Sequence, residues 1–270
     1  MSTSSSVTTA DRIRQAVVAA SAVVAVVGAY IGSGAAGGTP IQNAANGALT
    51  ADSTPIAPAG PAFSIWSVIY LGLLAYAVWQ VLPKQANAPR QRLVGYWVAA
   101  SLLLNAAWIL SVQFDQLALS CVVIVVLLAV LARTFLLLVD GRPAGVVETI
   151  VLDGTMGLYL GWVSIATAAN IAAGLTAAGF DGFGWGRDVW AVVVLAVAAL
   201  VGVFIAIRGR GRLAPAASLT WGLAWVAVSR TTGELVSQPA MIAAIVAAAV
   251  VVIATVGIRI ASRTSQPARA

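Results

Sequence analysis

Histidine is absent from this chain of 270 residues, cysteine occurs once and lysine occurs once. Without histidine there is no imidazole for acid–base catalysis, for a serine–histidine triad or for a histidine metal site. Cys121 by itself forms neither an intrachain disulfide nor a cysteine cluster for zinc or iron–sulfur. Lys84 lies in a predicted loop, which disfavours a Schiff base inside a helix bundle. We therefore expect a protein that is not an enzyme and requires no cofactor.

Charged residues are scarce, at 9% of the chain against 60% hydrophobic residues. A soluble domain of this length needs more charge to cover its surface. The apolar residues form eight runs, each about long enough to cross a hydrocarbon layer of ~30 Å. The runs lie at about 15–32, 62–82, 93–113, 116–139, 146–172, 189–207, 213–229 and 239–258. None alternates with a period of two, so we predict an all-α integral membrane protein with about eight transmembrane helices.

The 15 basic residues are unequally divided between the two ends of these runs. Thirteen fall on the side of the N-terminus and two on the other side. The thirteen are Arg12, Arg14, Lys84, Arg90, Arg92, Arg133, Arg142, Arg208, Arg210, Arg212, Arg259, Arg263 and Arg269, and the two are Arg187 and Arg230. This bias predicts a plasma membrane of bacterial type with both termini in the cytoplasm. The net charge of +6 then faces the anionic inner leaflet and does not indicate nucleic-acid binding.

The first run also fits a signal peptide, because Arg12 and Arg14 precede it and small residues follow at 32–36. Cleavage there would leave seven helices. Against this alternative, the run is longer than the apolar region of most signal peptides.

Three of the runs carry aromatic and polar side chains on one helical face. These side chains are Phe63, Trp66 and Tyr70 in the second run, Ser101, Asn105 and Trp108 in the third, and Tyr159, Trp162, Ala166 and Asn170 in the fifth. Such faces can converge on a flat amphipathic ligand, which the rings contact and the polar groups orient. Two other interpretations stay open: an aromatic belt for Phe63 and an interhelical hydrogen bond for Asn105. Gly157 and Gly161 form a GxxxG pair typical of close helix packing.

The three segments resemble the TspO/MBR family, the translocator or tryptophan-rich sensory proteins. The resemblance consists of a proline-rich stretch followed by Phe-x-x-Trp-x-x-x-Tyr at Phe63, then Asn-x-x-Trp at Asn105, and then Tyr-x-x-Trp-Val-x-x-Ala-Thr-x-x-Asn at Tyr159. It covers residues 15–175 with the helices in the same order. This sequence departs from the family at Leu158, where the family has proline, and in three additional helices.

The resemblance implies a five-helix pocket, covered by the first loop, that binds porphyrins, haem-like molecules or other planar hydrophobic ligands. Its expected ligand-binding residues are Trp66, Tyr70, Asn105, Trp108, Tyr159, Trp162, Ala166, Thr167 and Asn170. Because the three helices present these residues at one depth, we expect the pocket to open outward beneath the loop at 33–61. The expected function is that of a membrane receptor or carrier, with a regulatory, sensory-type role and a small hydrophobic ligand and the bilayer as partners. Homodimer formation is left open.

The resemblance also suggests a division of the chain into four parts. These are a disordered cytoplasmic N-terminus at 1–14, a TspO-like five-helix bundle at 15–175, an additional three-helix segment at 176–260 and a cytoplasmic tail at 261–270. We interpret Trp221 and Trp225 in the added segment as an interfacial girdle on a packing helix.

An alternative function is secondary transport of a small solute. Asp153 lies inside the fifth run, where a carboxylate is costly, and pairing with Arg133 would make it a candidate proton-relay element. Glu148 is expected to be solvated near the inner end of the same run. On an α-helix Glu148 and Asp153 point about 140° apart, so they do not form a carboxylate pair. No inverted repeat or pair of broken helices is visible, which disfavours a transporter.

Overall fold

The structure is a computed structural model that describes residues 6–264, apart from the side chain of Gln42. Eight long helices and no strands occur in this range. They are α1 (Thr9–Gly32), α2 (Ile65–Gln80), α3 (Pro89–Gln113), α4 (Leu117–Asp140), α5 (Val146–Ala177), α6 (Arg187–Arg208), α7 (Leu213–Thr232) and α8 (Gln238–Thr264). The predicted all-α membrane fold is confirmed, and the eight apolar runs correspond to the eight helices in order.

Seven of the helices described are long and apolar enough to cross a membrane, and α7 is the exception. α7 is less apolar because it carries proline, serine, threonine and Arg230. Much of α7 is buried against its neighbours. It nevertheless runs the full depth of the bundle. At its start Arg212 bonds Asp153 of α5, and at its end Arg230 bonds the carbonyl of Ala51 in the loop at 33–61. We call these two levels the basic end and the loop end.

The helices pack in an order that differs from their order along the chain. α1 packs along α3, α3 along α4, α4 along α5, α5 along α7, α7 along α8, and α8 along α6. α2 lies against α1 and α5. The helices of the predicted five-helix bundle and those of the added segment therefore meet along α5 and α7.

The contact between α5 and α7 depends on the predicted glycine pair. A Cβ on Gly157 would lie 2.9 Å from Cβ of Ala214, and a Cβ on Gly161 would overlap the carbonyl of Pro215. The missing side chains thus allow the two backbones to approach closely. The GxxxG pair is a packing feature, and its partner is one of the three additional helices.

The N-terminus is helical earlier than the sequence suggested. Thr8 caps α1 in a capping box with Asp11, and Asp11 also pairs with Arg92 of α3 at 2.7 Å. The prediction that residues 1–14 are disordered is wrong for 9–14, because the cap and this ion pair stabilise the first turn. Residues 1–5 lie outside the described range.

The first helix is a structural member of the bundle. Gln15 and Gln80 each donate a side-chain hydrogen bond to the other's backbone carbonyl, at 2.7 and 3.0 Å. Arg14 donates to the carbonyl of Ala86 at 2.7 Å. A cleaved leader would need none of these contacts, so they favour a retained α1.

The C-terminal tail also begins later than predicted. Residues 261–264 continue α8, and the Thr264 hydroxyl donates to the carbonyl of Ala261 at 2.9 Å. Residues 265–270, including Arg269, lie outside the described range.

Candidate functional site: an aromatic cluster beneath the loop

The centre of the candidate site is the indole ring of Trp66. Its centroid lies 5.8 Å from Tyr70, 5.8 Å from Trp108, 5.8 Å from Tyr159 and 6.2 Å from Trp162. The Trp108 ring stacks on it at 30°, whereas the Tyr159 and Trp162 rings meet it edge-on at 73° and 85°. These are the geometries that the ring quadrupole favours. Three helices thus bring five predicted residues into one cluster.

The prolines before α2 fix where this ring enters the bundle. Pro61 lies in a 3₁₀ turn, Gly60–Ser64, that leads directly into α2. Proline's fixed φ suits the first turn of a helix, where its missing N–H costs no hydrogen bond. Phe63 lies in this turn, with its ring centroid 5.9 Å from that of Trp162. Phe63 is therefore a cluster member and not simply part of an aromatic belt.

Two hydrogen bonds connect the deeper part of the cluster. Asn105 Nδ2 donates to the Tyr70 hydroxyl at 2.5 Å, which links α3 to α2. The Tyr159 hydroxyl donates to the backbone carbonyl of Ser101 at 3.2 Å, which links α5 to α3. The interhelical bond considered for Asn105 is therefore present, beside its position in the cluster.

A second set of bonds is centred on Asn170 near the loop end. Its Oδ1 accepts from Trp108 Nε1 at 2.9 Å, and its Nδ2 donates to Ser120 Oγ at 3.0 Å. Nδ2 also lies 3.2 Å from the Cys121 sulfur. Asn170 thus joins α3, α4 and α5. Sequence analysis offered no reason to expect that Ser120 of α4 is one of its partners, because the periodicity of α4 does not indicate it.

Three polar atoms in the cluster are buried and have no hydrogen-bond partner among the described residues. They are the indole nitrogens of Trp66 and Trp162 and the amide oxygen Oδ1 of Asn105. Trp162 is 1% exposed and Asn105 is 0% exposed, so neither side chain is open to solvent. Most buried polar groups are paired, and each exception calls for an explanation such as a ligand or a water molecule.

A small cavity lies between these rings and the loop at 33–61. Its volume is about 30 Å³, room for roughly one water molecule. Ala166 lines it together with Trp108, Trp162 and Asn170, and loop residues including Ala48 and Ser53 form the opposite wall. Ala48 and Ser53 also line an outer vestibule of about 410 Å³. Ala48 and Ser53 of the loop therefore border both the cavity and the vestibule.

Helix α7 holds the loop in this position. Trp221 Nε1 donates to the carbonyl of Ala62 at 2.9 Å, and the carbonyl of Trp225 accepts from Ala59 N at 3.2 Å. Arg230, which is 1% exposed, donates to the carbonyl of Ala51. The helix therefore has the packing role predicted for it: the Trp221 side chain bonds the turn that leads into α2, and the backbone carbonyl of Trp225 bonds the loop. The interfacial girdle of Trp221 and Trp225 stays a prediction.

Comparison with known proteins gives one family match. The family model described as TSPO-like protein matches residues 17–257. The chain belongs to the TSPO-like protein family. The match continues beyond residue 175 into the last three helices, so the similarity of this TSPO-like chain is not limited to the first five. Neither the curated proteins nor the solved structures give a match.

Eight of the nine predicted ligand-binding residues of this TSPO-like protein place side chains in the cluster or its cavity. The exception is Thr167, whose hydroxyl does not bond a residue of the cluster. It donates instead to the carbonyl of Val163 in its own helix at 2.7 Å. Helical geometry explains this, since a threonine hydroxyl reaches the carbonyl four residues earlier. No group of three or more histidine, cysteine, aspartate or glutamate residues that could hold a metal occurs within 6–264.

The carboxylates of the fifth run lie in a separate ion cluster at the basic end. Asp153 pairs with Arg90 at 2.8 Å and with Arg212 at 2.5 Å, and Glu148 pairs with Arg90 at 2.9 Å. Arg133 is exposed and is not a partner of Asp153. The predicted Asp153–Arg133 pair is therefore wrong, because Arg90 and Arg212 approach Asp153 from α3 and from the start of α7.

The expectations for Glu148 are also wrong. Glu148 is 4% exposed, and its Oε2 accepts from Ala144 N at 2.7 Å. The expected divergence of 140° assumed a regular α-helix, but Thr149–Gly154 is a π-helical segment. Its wider turn, with hydrogen bonds from i to i+5, brings residues five apart towards one face. Both carboxylates can therefore reach Arg90.

Proposed function

We propose that this protein is a non-enzymatic membrane receptor or carrier for a porphyrin-like or other planar hydrophobic ligand, with a regulatory, sensory-type role. The observation that carries the proposal is the aromatic cluster with its three unpaired polar atoms. Two indole N–H groups and one amide oxygen are buried and unpaired among rings from three helices. A flat ligand with hydrogen-bond acceptors and a donor would satisfy them, while its faces stack on the rings.

The closed cavity is far smaller than such a ligand. Sites for small molecules commonly enclose about 300–1,000 Å³, against about 30 Å³ here. Binding therefore requires the loop over this cavity to move aside, so that the space beside Ala166 becomes large enough for the ligand.

The absence of histidine defines the mode of binding that we propose. A haem iron is usually held by histidine, cysteine, methionine or tyrosine, and this chain has no histidine. Stacking and hydrogen bonds to the ring edges would then carry the affinity. Metal-free protoporphyrin is the appropriate probe.

The deciding experiment is a titration of the purified protein with protoporphyrin, followed by tryptophan fluorescence and porphyrin absorbance. Ala166→Phe should abolish binding, because the added ring fills the cavity that Ala166 lines. Ala129→Phe on the exposed face of α4 is the matched control and should bind as the parent does. Trp162→Ala should weaken binding by about 1 kcal/mol or more through lost stacking. Unchanged binding by Ala166→Phe would contradict the proposed site.

A further inference from the structure

The turn between α6 and α7 reads Arg208-Gly-Arg210-Gly-Arg212 and closes directly against α8. Gly211 has φ +71°, and a Cβ there would lie 2.5 Å from the Cα of Arg259. Arg259 in turn donates from Nη1 to the carbonyl of Gly211 at 3.2 Å. Arg263 follows four residues later on α8, which places it on the same helical face. Arginines from two elements therefore meet at one corner of the basic end.

These arginines differ from the basic residues at the same end that pair with carboxylates. Arg14 and Arg92 pair with Asp11, and Arg90 pairs with Glu148 and Asp153. Arg212 also turns inward to Asp153. By contrast, Arg208, Arg210 and Arg263 are exposed, and none of them forms an ion pair within residues 6–264.

No acidic residue of the neighbouring helices offsets this charge. Between Asp188 and the C-terminus the only acid is Glu234, which lies at the loop end between α7 and α8. Asp140 at the end of α4 is exposed and forms no ion pair in the described part of the chain. Four neighbouring guanidinium groups then repel one another unless an anion lies between them.

The surroundings of the corner indicate which kind of anion this is. Phe204, Ile207 and Ile260 are 60%, 57% and 59% exposed, on the last turns of α6 and α8. These apolar side chains face acyl chains, so the arginines that follow them lie at the level of the lipid headgroups. A guanidinium group binds phosphate oxygens in a bidentate geometry.

We propose that Arg208, Arg210, Arg259 and Arg263 form a binding site for the phosphate-bearing headgroup of an anionic phospholipid. The lipid belongs to the leaflet at the basic end of the bundle. Basic pockets between membrane helices are suited to such headgroups. This site is separate from the aromatic cluster, so its test does not depend on the ligand proposed there.

The test compares lipid binding by the full chain in detergent, by native mass spectrometry and by thermal unfolding. Phosphatidylglycerol should bind the parent and raise its Tm more than phosphatidylcholine does. Arg208→Gln/Arg210→Gln/Arg263→Gln should weaken phosphatidylglycerol binding at least tenfold. All three residues are exposed and none of their side chains donates a hydrogen bond in the described structure, so folding should be retained and is checked by size-exclusion chromatography.

The matched control is Arg12→Gln/Arg133→Gln/Arg142→Gln, which removes three exposed arginines from the same end of the bundle. It should bind phosphatidylglycerol as the parent does. Equal losses in both triple variants would show a diffuse charge effect and overturn the site. Equal stabilisation of the parent by inorganic phosphate and by phosphatidylglycerol would overturn the lipid assignment, as would the lack of any preference for phosphatidylglycerol over phosphatidylcholine.

Discussion

Trp108 and Trp162 show how two residues of the same type differ within one cluster. The Trp108 indole N–H donates to Asn170, whereas the Trp162 indole N–H has no partner among the described residues. Both side chains are buried, so both replace water contacts by protein contacts. Only Trp108, however, contributes a hydrogen bond between helices to the stability of the closed protein. The unpaired N–H of Trp162 is instead available to a ligand.

This difference leads to a prediction for two conservative substitutions. Trp108→Phe should lower the free energy of unfolding by about 1 kcal/mol more than Trp162→Phe does, because it leaves Asn170 Oδ1 without its donor. Unfolding in detergent measures this difference, with Trp97→Phe on the exposed face of α3 as the control. Trp162→Phe should in turn weaken protoporphyrin binding. Equal stabilities of the two variants would show that the Trp108–Asn170 bond is not significant.

At the level of elements, the π-helical segment of α5 determines which carboxylates join the ion cluster. It brings Glu148 and Asp153 to the same guanidinium group, so that two carboxylates and two arginines balance in charge. Because the charges of this cluster balance and its groups pair with one another, we interpret it as a structural connection between α3, α5 and α7 and not as a proton relay. The geometry therefore gives no support to the transporter alternative.

Asp153→Asn tests this interpretation. Removing the carboxylate leaves Arg90 with Glu148 and Arg212 without an acidic partner. We expect a loss of roughly 2–4 kcal/mol in the free energy of unfolding. Protoporphyrin binding should be retained, because the aromatic cluster lies nearer the loop end. Asp140→Asn, an exposed carboxylate at the same end, should change stability little. Normal stability of Asp153→Asn together with loss of pH-dependent solute uptake would instead favour transport.

The loop at 33–61 and helix α7 form a second functional pair of elements. Arg230 donates to the carbonyls of Ala51 and Leu235, and it is buried. Arg230→Met should remove both bonds and increase hydrogen exchange of the loop amides at 48–60, since the bond to Ala51 ties the loop to α7. Arg187→Met is the matched control, because Arg187 is the other basic residue at the loop end and is exposed. Identical loop exchange in both variants would refute the anchoring role.

At the scale of the whole molecule, the eight helices place both described ends of the chain at the basic end. The orientation of this end in the membrane is a prediction from the distribution of charge. Reporter fusions after Gln85 and after Arg210 should report the cytoplasm, and fusions within 44–54 should report the outside. A consistent inversion of these signals would contradict the orientation. Sequencing of the mature N-terminus tests the signal-peptide alternative, which predicts a start near residue 36.

The sequence alone determined the class of fold and the members of the aromatic cluster. Hydropathy runs identify membrane helices because the bilayer imposes one length and one composition on every span. The stripe of Tyr159, Trp162, Ala166 and Asn170 follows directly from helical periodicity. Such patterns are local, and residues close in the sequence are sufficient to show them.

Tertiary structure decided which helices meet and which polar groups pair. Arg90, Arg212 and Asp153 are far apart in sequence, and only the packing of α3, α5 and α7 brings them together. The π-helical turn changed the direction of Glu148, which a regular helix would have turned away. The anchoring of the loop by Trp221 and Arg230 likewise depends on long-range contacts. Hydrophobic patterns do not specify such pairs, because the free energy of a hydrogen bond or ion pair depends on the position of both partners in space.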